Sequence, residues 1–83
     1  MRGTGMLESQ IFAFVSDRAG LPRERLDLDT PLFTGGVLDS LSVMELVAFV
    51  EGAAGIRFGD RDVVPENLDS IRRILAYVAS RKG

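Results

Sequence analysis

An apolar run between Gly36 and Glu51, GVLDSLSVMELVAFVE, constrains this 83-residue chain more than any other stretch. Asp39 and Ser40 stand directly before it, and Gly35 and Gly36 let the backbone turn into it. Small polar side chains at such a position accept hydrogen bonds from the first backbone amides of a helix, which have no partner inside it. The spacing predicts a helix from Ser40 to Ala53, with Gly52 and Gly55 weakening its end. At about 100° per residue the run shows two apolar stripes on opposite sides. Val43, Leu46, Val47, Val50 and Ala54 form one; Leu41, Met44 and Ala48 form the other, with Glu45 among them. A helix in so small a protein needs one stripe for its core, and the second is left facing water or a partner.

Around this run the chain reads as an all-α protein. Met1 to Gly5 has two glycines and no periodicity, which suggests a flexible N-terminus followed by one domain over residues 6–83. A first helix is expected from Met6 to Ala19, with Leu7, Ile11, Phe14 and Val15 on its buried face and Phe12 off that face. Gly20, Leu21 and Pro22 end it. The connection from Leu21 to Leu38 is long for a compact domain, so Leu26, Leu28, Leu32 and Phe33 are expected to pin it to the helices, and Pro22-Arg23-Glu24 to start a helical turn. After the central helix, Ile56 to Phe58 reads as a packed loop, since there is no second strand to pair with it. Asp60 to Val64 reads as a single turn closed by Pro65. Asp69 or Ser70 then caps a last helix that buries Ile71, Ile74, Leu75 and Val78, with Arg81 and Lys82 where cations favour a helix C-terminus. The expected architecture is a small bundle of three main helices plus a possible short fourth.

Composition narrows the chemistry. The chain has no cysteine and no histidine, and Lys82 is its one lysine. Disulfides, thiolate nucleophiles and thiolate metal sites are excluded, and the commonest general base is missing. The chain is therefore expected not to be an enzyme and to hold no metal. No apolar run is long enough to span a membrane and no secretory signal is visible, which leads to an expected cytoplasmic location. From Asp39 to Asp69, seven acids (Asp39, Glu45, Glu51, Asp60, Asp62, Glu66, Asp69) stand against Arg57 and Arg61, a local balance of minus five. Phosphate backbones need a basic face, so nucleic acid is a poor partner and a basic protein surface a better one.

Asp39-Ser40-Leu41 followed by Val43-Met44-Glu45-Leu46-Val47 resembles the attachment site of acyl carrier proteins, where the serine of an Asp-Ser-Leu motif bears phosphopantetheine. The similarity extends through Leu28 to Phe33 and through Ile71 to Val78, and so covers nearly the whole chain. The resemblance implies an acyl-carrier-like fold, covalent phosphopantetheine on Ser40 and flanking roles for Asp39 and Leu41. It also implies a donor, coenzyme A, and a separate magnesium-dependent phosphopantetheinyl transferase. Compared with fatty-acid carriers the helix is poor in acids: Ser42 is neutral, and Gly52-Ala53-Ala54-Gly55 follows Glu51. The Leu38-to-Val47 wording and Pro65 to Ile71 look closer to free-standing carriers of specialised pathways.

The residues taken alone fit that reading. An Asp-Ser pair offers two caps where one suffices, so Asp39 can satisfy the amides while the Ser40 hydroxyl points outward. No Glu or Gln stands at the capping-box position, Ser42 or Val43. With no histidine or lysine beside it, Ser40 reads as the acceptor for another enzyme and not as a nucleophile of its own. A phosphodiester there would lie at the positive end of a helix dipole. Leu41, Met44, Glu45, Ala48 and Glu51 are the expected partner contacts. The expected function is carriage of thioester-bound acyl groups between a loading ligase or transferase and the enzymes of a fatty-acid, polyketide or related pathway, by a monomer. Two alternatives are an aminoacyl or peptidyl carrier of a nonribosomal-peptide-type pathway, and a helical interaction module in which Ser40 is only a cap.

Overall fold

The two longest helices, α1 (Arg2–Ala19) and α2 (Ser40–Ala54), end in the same way, each on a glycine in the left-handed region. Gly20 has φ 68° and Gly55 φ 71°, a conformation that costs a residue with a Cβ and costs glycine little. The next amide then reaches back over the last turn, Leu21 N to Ser16 O at 3.2 Å and Ile56 N to Glu51 O at 3.3 Å, which satisfies carbonyls that the helix itself leaves open. The structure, a computed structural model, describes residues 2–82. Two further helices complete it, the four-residue α3 (Pro65–Leu68) and α4 (Ile71–Lys82), with 3-10 turns at Arg23–Arg25 and Asp60–Asp62. There is no strand among the described residues, and Ile56 to Phe58 is loop, as expected.

α1 starts earlier than the apolar pattern indicates. Arg2 to Gly5, expected to be loose, continue the helix, while Met1 lies outside the described residues. Once the packed turns downstream exist, each added residue closes another backbone bond, and Gly3 and Gly5 only weaken that extension, by about 1 kcal/mol each relative to alanine. Pro65 also differs from expectation: it opens α3 at the first helical position and does not close a preceding turn. A proline there sacrifices no helical bond, because that N–H would be unpaired anyway. The short fourth helix is thus 65–68.

One apolar core joins all four helices and the long connection. α1 contributes Leu7, Ile11, Phe12 and Val15; α2 contributes Val43, Leu46, Val47, Val50 and Ala54; Leu68 comes from α3 and Ile71, Ile74 and Val78 from α4. The α2 set is the stripe anticipated from its periodicity. In α1 the two phenylalanines exchange roles. Phe12 is buried, covered by the Arg23 guanidinium 3.4 Å from its ring centre, whereas Phe14 is half-buried and stacks on Phe49 at 4.8 Å. In α4, Tyr77 takes the deeper place expected for Leu75: it stacks on Phe58 at 4.4 Å and its hydroxyl donates to Asp62 Oδ2 at 2.9 Å.

The connection from Leu21 to Leu38 is pinned from both sides. Leu26 and Leu32 are buried and Leu28 half-buried, while Phe33, expected as a fourth anchor, points outward. Backbone bonds tie it to α4 and its approach: Leu32 N donates to Asp69 O at 2.7 Å and Arg72 N to Leu28 O at 2.9 Å. The Arg72 guanidinium also pairs with Asp29, Nε to Oδ1 at 2.7 Å. At the other end of α4, Lys82 Nζ donates to Ala54 O at 3.1 Å, so this cation serves the C-terminus of α2.

Candidate functional site

The connection delivers the chain to α2 through a tight knuckle. Gly36 N donates to Phe33 O at 3.1 Å, Leu38 N donates to Leu32 O at 2.8 Å, and Gly36 has φ 76°. A Cβ on Gly35 would collide with the Pro31 carbonyl oxygen, so a side chain there forces the knuckle open. Leu38, buried, fixes the last residue before the cap.

Asp39 then caps α2. Its Oδ1 accepts the Ser42 amide at 2.8 Å, and this bond to the charged form holds its carboxyl below the ordinary aspartate range. Ser40, the first residue of the helix, is exposed, and among the described residues its hydroxyl has no hydrogen-bond partner. The division of labour expected from the sequence, with aspartate capping and serine left over, is what the structure has.

Around Ser40 the outward stripe of α2 lies open. Leu41 is 69% exposed and Met44 52%, and Ala48 is exposed one turn on. The two acids expected beside them are engaged within the protein. Glu45 Oε1 pairs with Arg18 Nε of α1 at 3.0 Å, and both side chains keep roughly two-fifths of their surface in water. Glu51 is half-buried and its Oε2 accepts the Phe58 amide at 2.8 Å, which makes it a fastening of the loop after α2.

Between the first turn of α2 and α3 runs a groove of about 190 Å³. Its walls are Phe33, Val43, Met44, Val64, Pro65 and Leu68, with Ser40 as the polar residue at its edge. Phe33 and the 63–65 segment were missed from the sequence as parts of this site; an aromatic between a buried Leu32 and a glycine pair was the available signal. Asp69 and Ser70 are the two candidate caps for α4 in the sequence. Ser70 does that work, its Oγ accepting the Arg73 amide at 3.1 Å, and the Asp69 carboxylate turns to the knuckle.

A phosphopantetheine arm fits these residues. Its phosphodiester would be held at the N-terminus of α2, where the dipole favours an anion. Its extended chain has an apolar groove beside the attachment point. When bound, the group supplies a terminal thiol, the function this cysteine-free chain lacks.

The matches to known proteins agree with the geometry. Residues 9–78 match the family model described as phosphopantetheine attachment site. The chain is 32% identical over 75 residues to the D-alanyl carrier protein of Abiotrophia defectiva, covering 90% of this chain and 95% of that one. It is 27% identical over 79 residues to the probable acyl carrier protein PigG of a Serratia species, covering 94% and 91%. With the acyl carrier protein of Renibacterium salmoninarum it shares 30% identity over 69 residues, 83% of either chain. An all-helical fold, an apolar groove beside a helix N-terminus and a family match over most of the length converge on one conclusion: the chain belongs to the phosphopantetheine attachment-site family and is a carrier protein whose prosthetic group is phosphopantetheine.

Proposed function

We propose that Ser40 is the attachment residue and that the loaded protein carries a thioester-bound acyl group between biosynthetic enzymes. The observation that supports this most is the exposed Ser40 hydroxyl, relieved of capping by Asp39 and set at the edge of the apolar groove. In loading, the Ser40 oxygen forms a bond to phosphorus as the pyrophosphate link of coenzyme A breaks and the adenosine portion leaves. The serine proton goes to a base on the transferase, since no histidine stands in this chain to take it. The chain itself is no enzyme in this reading. Asp39 keeps the serine at the helix start, and Leu41, Met44 and Ala48 meet the transferase and the loading enzyme. The protein works as a monomer in the cytoplasm; among the described residues no helix is long and apolar enough to cross a membrane.

A second reading of the cargo, an aminoacyl group, is favoured by one observation, the 32% identity to proteins named D-alanyl carrier protein.

Intact mass before and after incubation with coenzyme A and a broad-specificity phosphopantetheinyl transferase tests the attachment. Wild type should gain one phosphopantetheinyl mass and Ser40→Ala none, with its fold kept by the Asp39 cap. Equal gain by the alanine variant would remove Ser40 from its role.

A further inference from the structure

The Asp69 carboxylate, next in sequence to Leu68 of the groove wall, makes three hydrogen bonds to a segment 35 and 36 residues away in sequence. Oδ1 accepts the Phe33 amide at 2.8 Å and the Thr34 amide at 2.9 Å, and Oδ2 accepts the Thr34 hydroxyl at 2.6 Å. With the Leu32 N to Asp69 O bond, the junction of α3 and α4 grips three successive residues of the knuckle that leads to Ser40. The bonds are strong ones by type, since charge on the acceptor shortens and strengthens them. Partial burial pushes this carboxyl up, but the Thr34 hydroxyl, the two amides and the nearby Arg73 charge outweigh it, and the net displacement is downward.

Bonds within the knuckle, Gly36 N to Phe33 O and Leu38 N to Leu32 O, set its shape, and buried Leu32 anchors one end. Phe33 itself is 41% exposed, so packing covers only part of its ring. From outside the knuckle, its amide is held by Asp69. Phe33 in turn lines the groove together with Met44 and Ser40.

We propose that Asp69 is a positioning residue for the loading of Ser40, acting by holding Phe33 in the groove wall where the incoming enzyme and the pantetheine arm meet it. The inference rests on Ser40 being the attachment residue. The ring is the contact; the carboxylate sets where the contact is. Asparagine is a conservative replacement here, because its Oδ1 can keep both amide bonds while its Nδ2 donates to the Thr34 oxygen. Alanine keeps none of the three.

Steady-state loading with coenzyme A and a broad-specificity phosphopantetheinyl transferase, with carrier concentration varied, gives the test. Phe33→Ala and Asp69→Ala should each raise KM for the carrier roughly fivefold, the effect of a moderate interface contact, with kcat little changed. The double variant should match either single one, because removing the ring leaves the carboxylate nothing to position. Asp69→Asn should lie nearer wild type than alanine does. Amide spectra should show Phe33 and Thr34 N–H signals shifting in Asp69→Ala while those of the α2 core stay in place. Multiplicative losses in the double variant would overturn the inference and leave Ser40 as the attachment residue. So would an Asp69→Ala KM equal to wild type. Wild type that takes no mass at all would overturn both.

Discussion

Arg18 Nε lies 3.0 Å from Glu45 Oε1, tying the end of α1 to the outward side of α2 one turn from Leu41. The same guanidinium rests 4.9 Å from the Phe14 ring centre, and Phe14 stacks on Phe49 of α2. Among the described residues, Glu45 is the one acid of the central region whose charge is offset by a cation at hydrogen-bond distance. Asp39, Glu51, Asp62 and Asp69 accept hydrogen bonds from neutral donors.

Charge reversal at Glu45 sets a new lysine beside Arg18 and makes this edge basic. Glu45→Lys should slow phosphopantetheine transfer at low salt and approach wild type as salt rises, with screening over roughly 8 to 10 Å. The lost pair is exposed, so stability should fall by no more than about 1 kcal/mol. Equal transfer rates for wild type and variant at low salt would show that steering does not run through this residue.

The two sides of α2 should separate cleanly in melting experiments. Leu46 is fully buried, and Leu46→Ala should cost about 2 to 5 kcal/mol by opening a cavity in a core with few other layers. Met44→Ala should cost less than half as much and lower the loading rate. Similar melting losses for both would mean that Met44 packs in solution as it does not here.

Stability against pH should be level through neutrality, because no histidine titrates, and should fall at both ends. Asp29 is held down by its bond to Arg72, Asp39 by the Ser42 amide, and Asp69, despite its burial, by the Thr34 and Phe33 donors. Carboxyls with depressed folded values stabilise above the unfolded value, and that contribution goes as pH drops below about 4 and through the folded values. Tyr77 is shifted the other way, by burial and then by its bond to Asp62. Its contribution is present below about pH 10 and lost as pH rises through the folded value. Thermal melts from pH 3 to 11 check both limbs, and a steep change between pH 6 and 8 would contradict the assignment.

Tyr77→Phe should keep the stack on Phe58 and lose the hydroxyl bond to Asp62, costing about 1 to 2 kcal/mol. In this variant the alkaline limb of the melting profile should also vanish. A variant with an unchanged alkaline limb would assign that limb to another group.

What was legible in the sequence is what depends on near neighbours. The buried stripe of α2, the Asp39 cap and the Ser70 cap all follow from spacing within a turn or two, and the structure has each of them. Phe12 and Phe14 were not separable that way. Their burial is decided by Arg23 and Phe49, which other segments bring to them. The internal bonds of Glu51 and Asp69 were not legible for the same reason, as their partners lie in loops whose path the helical period does not reveal. Exposed Leu41 and Met44 were legible because one helix in a small bundle has only one side to bury.

The grip of Asp69 on the knuckle also has a consequence for truncated chains. The surroundings of Ser40 are completed by a residue made after it, and by α4 beyond that, which supplies the Arg72 bonds to Leu28 and Asp29. A chain that stops before Asp69 has the serine but lacks the residue and the helix that shape its site. Released protein truncated after residue 68 should therefore take up no phosphopantetheine under conditions in which residues 1–83 do.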